Sequence, residues 1–277
     1  MGVKSTVLLV TALACIVTEA GAQEISEQRV RAAVEDAARG LGQAVAGGSP
    51  MTAPAGTTGG LGHVLASLGV GVTRVEIEDP QRTSGTADFF LPTAGARLAV
   101  GITDGIAAGG AIHGTGSVDL LGRLGLVSAR DRIEETASLY GLGVRVGILS
   151  ETALSPAVSV SLERAWTGEI AYGEPDEISF RGDVAVTSIR ADLSKSLVLV
   201  SPYVGVGLDR AGIDASYVIP EELSTAGQEI RGSVEQSSTH HTFYAGIDLS
   251  LLLLTSSVEV GVYDGGAFAA FAVRAGL

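Results

Sequence analysis

The sequence predicts an all-β protein, an antiparallel up-and-down transmembrane β-barrel of about ten strands. From residue 62 onward, apolar residues alternate with small or polar ones at a period of two, which is the periodicity of β-strands. The chain is 46% hydrophobic and contains 38 glycines, so its apolar residues are spread over many short segments. A membrane-spanning helix needs about 20 consecutive apolar residues, and no segment after the first 22 residues provides them.

The first 22 residues are expected to form a signal peptide. A basic start is followed by an apolar run over residues 6–17 and by a small-residue cleavage pattern, Ala-Gly-Ala, at 20–22. An alternative is a lipoprotein, because the sequence around Cys15 loosely resembles a lipidation site, but the apolar run continues past Cys15. Cleavage after residue 22 removes the only cysteine, so the mature chain would have no disulfide and no cysteine-ligated metal.

An amphipathic helix is predicted before the barrel. Between residues 25 and 45, Val30, Val34 and Leu41 belong to an apolar set at helical spacing. Two interpretations of this helix remain open. The simpler is a packed or frayed helix preceding the barrel, and the other is a plug or periplasmic lid. The chain therefore divides into a signal peptide (1–22), a helix and linker (23–61) and a barrel (62–277).

Ten segments alternate at the strand period, and most reach the length of about 9–11 residues that a tilted strand needs to cross a bilayer. They are residues 63–77, 94–106, 116–127, 136–149, 154–166, 177–192, 196–216, 230–250, 254–263 and 266–277. Alternation breaks around Thr73 in the first segment and around Thr187 in the sixth, which predicts either β-bulges there or the points at which the strands leave the membrane.

The links between these segments differ along the chain. Those following even-numbered strands are mostly short, such as 107–110, 150–153 and 193–195, whereas most of the others are long and acidic. The long links are residues 78–93, 128–135, 167–176 and 217–229. Short turns on one rim and long loops on the other are typical of transmembrane barrels. The net charge of −13 argues against a nucleic-acid partner, which would require clustered Lys and Arg.

The two faces of the strands differ in kind. One face is apolar, and the other is largely Gly, Ala and Ser with scattered charges, which suits lipid outside and a narrow lumen inside. Five positive and five negative side chains are predicted to face the lumen and to pair across it. They are Arg97, Asp119, Arg123, Arg145, Glu163, Arg181, Asp183, Asp248, Glu259 and Arg274. Arg190 and Asp192 stay unassigned because they follow the predicted bulge.

In these features the chain resembles bacterial outer-membrane β-barrel proteins, including uncharacterised families with an N-terminal helix before the barrel. The resemblance covers residues 62–277 and rests on architecture. Such proteins usually end in an aromatic residue, whereas this sequence ends in Leu277. The resemblance implies a porin-like barrel in the outer membrane of a Gram-negative bacterium. The partners it implies are outer-membrane lipid, lipopolysaccharide and the outer-membrane assembly machinery.

No catalytic, cofactor or metal site is predicted. His240 and His241 are adjacent, so on a strand they point to opposite faces and cannot readily bind one ion. Some barrels are proteases or lipid-modifying enzymes that use histidine and acidic residues, but no motif of theirs matches here. Acidic residues such as Glu76, Glu78 and Asp79 could bind divalent cations between lipopolysaccharide phosphates, although a solvated acidic surface is the simpler interpretation.

Two function classes follow. The first is a passive structural component of the outer membrane or a narrow solute pore, with an unknown small solute. The second is a surface-interaction or ligand-binding barrel that acts through its long acidic outer loops. A soluble periplasmic β-domain and a barrel enzyme are less favoured alternatives.

Overall fold

The computed structural model describes most of the predicted barrel and part of the helix before it. The described residues are 32, 34–36, 38–47, 57–78, 86–106, 115–128, 136–172, 179–221, 224, 227–251, 253–264 and 266–276. The described residues between 32 and 46 form a helix, α1. The predicted signal peptide, 1–22, lies outside the described residues. No helix in the described ranges is long and apolar enough to cross a membrane.

Eleven strands follow the helix, and their bounds agree closely with the predicted segments except in a few places. They are β1 (Val64–Glu78), β2 (Thr86–Thr103), β3 (Val118–Val127), β4 (Ala137–Leu149), β5 (Ala157–Thr167), β6 (Ile170–Tyr172), β7 (Ser179–Ser194), β8 (Val200–Ile219), β9 (Ile230–Leu251), β10 (Leu254–Tyr263) and β11 (Gly266–Gly276). β6 was expected to be loop, and β2 begins eight residues earlier than predicted.

Ten of these strands form a closed ring. Each pairs antiparallel with its sequence neighbours, apart from β6, and the ring closes through pairing of β1 with β11. β5 pairs directly with β7, while the short β6 pairs with the first residues of β7. The prediction of an antiparallel up-and-down barrel of about ten strands is therefore confirmed. Closure leaves no sheet edge for lipid to contact, as a membrane barrel requires.

The two rims of the ring are unequal. We call the rim at which β1 begins the proximal rim and the opposite rim the distal rim. The proximal links are 104–117, 150–156, 195–199 and 252–253, and the distal links are 79–85, 128–136, 168–178, 220–229 and 264–265. The link between β2 and β3 was predicted to be short and is the longest proximal one. Within it, Ile106 and Thr115 form an isolated bridge.

The predicted bulges are wrong. Thr73 and Thr187 both lie in strands whose registers run without interruption on either side. The register shifts lie instead near the proximal rim, between Gly101 and Thr103 and between Gly147 and Leu149. Alternation therefore continues through the whole of β1 and β7, and the apolar residues that break the sequence pattern are turned inward.

The outward face of the barrel is an apolar belt. Leu68, Leu98, Leu124, Leu142 and Leu162 are all at least 46% exposed, and they occupy adjacent strands from β1 to β5. Exposed apolar surface of this extent suits hydrocarbon rather than water. The inward face buries polar and charged side chains nearer the proximal rim and apolar ones nearer the distal rim.

Candidate functional site

The helix α1 lies inside the barrel and fills its distal half. Val34, Ala38, Leu41 and Val45 are at most 3% exposed and belong to one buried cluster with inward residues of β1 to β9. Members of this cluster on the strands include Val75, Leu91, Val127, Leu139, Phe180, Val184, Ile213 and Tyr217. The structure thus shows a plug rather than a helix preceding the barrel.

Two glycines let the helix approach the barrel wall. A Cβ on Gly40 would lie 2.1 Å from Cγ1 of Val75, and a Cβ on Gly42 would lie 2.4 Å from Cβ of Ala211. Contacts this short leave no room for a side chain, so glycine is required at both positions. The helix also forms a polar contact: the Thr242 hydroxyl lies 3.0 Å from Gln43 Oε1.

The described residues on either side of the 48–56 gap lie at successive levels of the lumen, from its distal to its proximal end. Gly40 lies beside Val75 in the distal half of β1, and Gly47 lies beside Arg190 near the middle. Further along, Thr58 donates its backbone N–H to Asp119 Oδ2 at 3.0 Å, next to the proximal end of β3. β1 then begins at Val64 on the proximal rim.

A layer of buried ion pairs lies in the lumen between the middle of the barrel and its proximal rim. Arg97 Nη2 and Arg123 Nε both bind the Glu163 carboxylate, at 3.0 and 3.1 Å. Arg145 Nη2 lies 2.6 Å from Asp119 Oδ2, and its Nε donates to the same oxygen at 3.0 Å. Arg145 and Asp119 are direct partners on adjacent strands, whereas Glu163 on β5 connects to strands β2 and β3, which are not its neighbours.

The same layer continues on the other side of the ring. Arg274 is hydrogen-bonded to Asp248, which also accepts a hydrogen bond from Ser257. Glu259 accepts a hydrogen bond from the Tyr203 hydroxyl at 3.0 Å. With the five above, these account for eight of the ten charges predicted to face the lumen. All eight are at most 8% exposed.

The prediction that Arg181 and Asp183 face the lumen is wrong, because both are exposed on the outer face of β7. The inward positions of this strand near the distal rim are Phe180, Val184 and Val186. These apolar side chains pack against the helix cluster, whereas the sequence interpretation assigned the apolar face to lipid. A plugged lumen reverses that assignment in the distal half of the barrel.

The structure adds lumen residues that the sequence interpretation missed. Arg190 Nη2 lies 3.7 Å from Asp209 Oδ1, and Asp192 accepts a hydrogen bond from the Tyr244 hydroxyl at 2.5 Å. Unbroken alternation along β7, with Ile189 and Leu193 taken as lipid-facing, would have identified Arg190 and Asp192 as lumen residues. Asp209 lies inside the predicted strand segment 196–216 but was not included among the lumen charges.

The C-terminal end of the helix lies close to the guanidinium group of Arg190. A Cβ on Gly47, the residue after the helix, would lie 3.2 Å from Nη2 of Arg190. A helix carries partial negative charge at this end, and cations stabilise it there. A void of about 20 Å³ beside Ala46, Glu163 and Arg190 is large enough for about one water molecule.

The two histidines point to opposite faces. His240 is fully buried, with Nε2 3.8 Å from Asp209 Oδ2, while His241 is exposed and its Nδ1 lies 3.4 Å from Asp264 Oδ2. Within the described ranges, no group of three or more His, Cys, Asp or Glu side chains is arranged to bind a metal ion.

Comparison with known proteins gives structural similarity alone. No protein family and no curated protein matches this sequence. The outer membrane protease OmpT from Escherichia coli is 8% identical over 77% of this chain and 94% of its own, with a TM-score of 0.42. Ail, the attachment invasion locus protein of Yersinia pestis, is 14% identical over 78% of this chain and 97% of its own, with a TM-score of 0.35. The transport unit of the autotransporter AIDA-I from E. coli is 11% identical over 87% and 97%, with a TM-score of 0.41.

The fold and the filled lumen define the class of this protein. A closed antiparallel ring with an apolar outward face is a transmembrane β-barrel of the outer-membrane type. The protein is an outer-membrane β-barrel whose lumen holds its own N-terminal helix.

Proposed function

We propose that the protein is a sealed, non-enzymatic outer-membrane barrel that acts through surface contacts at its distal rim. The observation that supports this most directly is the position of α1. The helix and the ion-pair layer beneath it occupy the lumen in series, so a solute would have to displace both. Among the described cavities of the lumen, the central one has a volume of about 20 Å³, which is too small for any solute larger than water.

The surface available for contact is the distal part of the β8–β9 hairpin. β10 ends at Tyr263, which pairs with Thr242, but β8 and β9 stay paired as far as Ile219 and Ile230. At roughly 3.3 Å per residue, β9 continues about 40 Å along its own direction beyond its last pair with β10. Over this length, no described strand pairs with its second edge. An unpaired edge can bind an extended segment of a partner.

Two features hold the hairpin in a defined shape: packing of its inward side chains and a hydrogen bond at its base. Ile213, Tyr217 and Val234 face inward and are buried. At its base, the His241 backbone N–H donates to Asp264 at 3.0 Å, and this hydrogen bond lowers the pKa of the Asp264 carboxyl below its ordinary value. A rigid base favours a defined binding surface over a mobile loop.

Conductance tests the sealed lumen. We expect the refolded protein in a planar lipid bilayer to give no steady current, because α1 and the ion pairs block the lumen. A gel assay of heat-modifiable migration on the same sample controls for folding. A steady ohmic current from a fully folded sample would contradict the proposal and would favour the narrow pore.

Tag accessibility tests which rim faces outward. Extracellular segments of outer-membrane barrels extend further than their periplasmic turns, and the β8–β9 hairpin extends well beyond β10 at the distal rim. We therefore expect an epitope inserted at Ser224 in the β8–β9 link to bind antibody on intact cells. The matched control is the same epitope at Val198 in the β7–β8 turn, which is 98% exposed but lies on the proximal rim. We expect Val198 to be reached only after the cells are opened. The reverse result would place the hairpin in the periplasm.

A further inference from the structure

One cross-strand row on the outward face changes from apolar to polar partway around the barrel. Its members pair directly, strand by strand, from β10 to β9 by way of β11 and β1. In order they are Leu254, Ala275, Ala66, Leu98, Gly122, Leu142, Arg164, Thr187, Arg210 and Thr239. The first six are apolar or small, and the last four are two arginines and two threonines. Because strands of a barrel are tilted, such a row also crosses the thickness of the membrane.

The apolar part of the row forms one side of a groove in the barrel wall. This groove has a volume of about 800 Å³ and extends from Trp166 to Leu254. Its base includes Ala66, Ala96 and Gly122, whose small side chains leave space between the neighbouring leucines. A Cβ on Gly122 would have only Leu142 Cδ2 nearby, at 3.9 Å. The groove therefore has the shape and the polarity that an acyl chain requires.

The polar part of the row lies where the apolar belt ends. Arg164 pairs with Leu142 of the groove on one side and with Thr187 on the other, and its Nη1 donates to Thr187 Oγ1 at 3.4 Å. Arg210 pairs with Thr187 from β8. Strand spacing of about 4.8 Å puts the two arginines about 10 Å apart, so both can reach one anion above Thr187. Neither forms an ion pair with a described carboxylate.

We propose that this row is a binding site for lipopolysaccharide. A lipid A phosphate binds between Arg164 and Arg210, with the threonine hydroxyls as further donors, and an acyl chain lies in the groove. Arginine is suited to phosphate because its planar guanidinium donates two parallel hydrogen bonds. The choice of lipopolysaccharide over a phospholipid rests on the proposed function, in which the distal rim faces the exterior and hence the outer leaflet.

The charge part of the site is tested by removing both arginines. The Arg164→Gln/Arg210→Gln double variant is compared with Arg181→Gln/Arg231→Gln, which removes two exposed arginines outside the row. Each folded protein in mild detergent is titrated with purified lipopolysaccharide, and bound lipid is counted by native mass spectrometry. One basic residue near an anionic lipid surface changes affinity about fivefold, so we expect about 25-fold weaker binding for the first variant and little change for the second.

The groove is tested separately. Gly122→Leu fills it, and Ala245→Leu places the same leucine side chain on the lipid-facing side of β9, away from the groove. Displacing even one methylene group of a bound chain should weaken binding about fourfold, so we expect that loss for Gly122→Leu alone. Equal binding by all variants, or equal loss in variants and controls, would overturn the site.

A parallel titration with phosphatidylglycerol distinguishes the source of the phosphate. Tighter retention of lipopolysaccharide supports the proposal, and equal or better retention of phosphatidylglycerol overturns the assignment to lipopolysaccharide. We expect these substitutions on the outer face to leave conductance unchanged. Failure of the lipid site would then leave the sealed lumen standing and is distinguishable from failure of the proposed function.

Discussion

Replacing Arg145 by alanine is expected to lower the free energy of unfolding by about 3–5 kcal/mol, the range for breaking a buried ion pair from one side. Arg145 and Asp119 are each at most 1% exposed, and the substitution leaves the Asp119 carboxylate in the lumen without its cation. Two Thr58 donors still bind Asp119, which limits the loss to this range. Urea unfolding in lipid vesicles, followed by fluorescence of Trp166, the only tryptophan, measures the change.

The control for this variant is Arg231→Ala. Arg231 pairs with Glu229 on the surface of the hairpin, where its side chain is 75% exposed, and surface pairs of this kind contribute little. We expect its unfolding curve to match that of the unmodified protein. If Arg145→Ala behaved like Arg231→Ala, the lumen would contain enough water to solvate Asp119, and the ion-pair layer would not be the seal described above.

Replacing Gly42 by leucine is expected to displace the helix and to open the barrel, because water that replaces the helix also reaches the ion pairs beneath it. The Cβ of any residue at this position would lie 2.4 Å from the Cβ of Ala211, and Ala211 belongs to a strand held on both sides by β7 and β9. The strand cannot yield, so the helix must leave its position. We expect a steady current in planar bilayers from a protein that still shows heat-modifiable migration.

A compensating pair of substitutions checks the cause. Gly42→Ala alone should produce a smaller current by the same clash, and adding Ala211→Gly should abolish that current because it removes the opposing methyl group. Failure of Ala211→Gly to restore the sealed state would mean that Gly42 acts through helix propensity rather than through its contact with the wall. No current from a folded Gly42→Leu protein would mean that the charge layer seals the lumen without the helix.

The sequence predicts the membrane-facing part of this fold well. Along β4 and β10, lipid lies on one side and small or charged lumen residues on the other, so the period of two is clear and the predicted bounds agree with the observed ones to within a residue. The eight buried charges follow from the same alternation. Arg145, for example, faces the lumen, and its sequence neighbours Val144 and Val146 lie on the apolar outward face.

The distal half of the barrel is a different case. There the inward residues pack against α1. Val75 and Val184 are therefore apolar because they contact the apolar helix, just as outward residues are apolar because they contact lipid. Alternation of polarity vanishes when both faces are apolar or when the outer face carries Arg181 and Asp183. No local feature of β1 or β7 shows that a helix more than twenty residues away in sequence will occupy the lumen. Only the contacts between the helix and the barrel wall, such as those of Gly40 and Gly42, show that the helix lies in the lumen.

The linker between α1 and β1 restricts how the helix can move. Residues 47–57 join the mid-lumen end of the helix to the proximal rim, and a chain of this length spans at most about 33–36 Å when fully extended. The hydrocarbon core alone is about 30 Å thick, and the strands continue beyond it at the distal rim. If the helix moved toward the distal rim, the linker would be fully extended before the helix cleared the barrel. If the helix moved toward the proximal rim, the distance that the linker must span would decrease. A helix that leaves this lumen without unfolding is therefore restricted to the proximal rim, the end at which β1 begins.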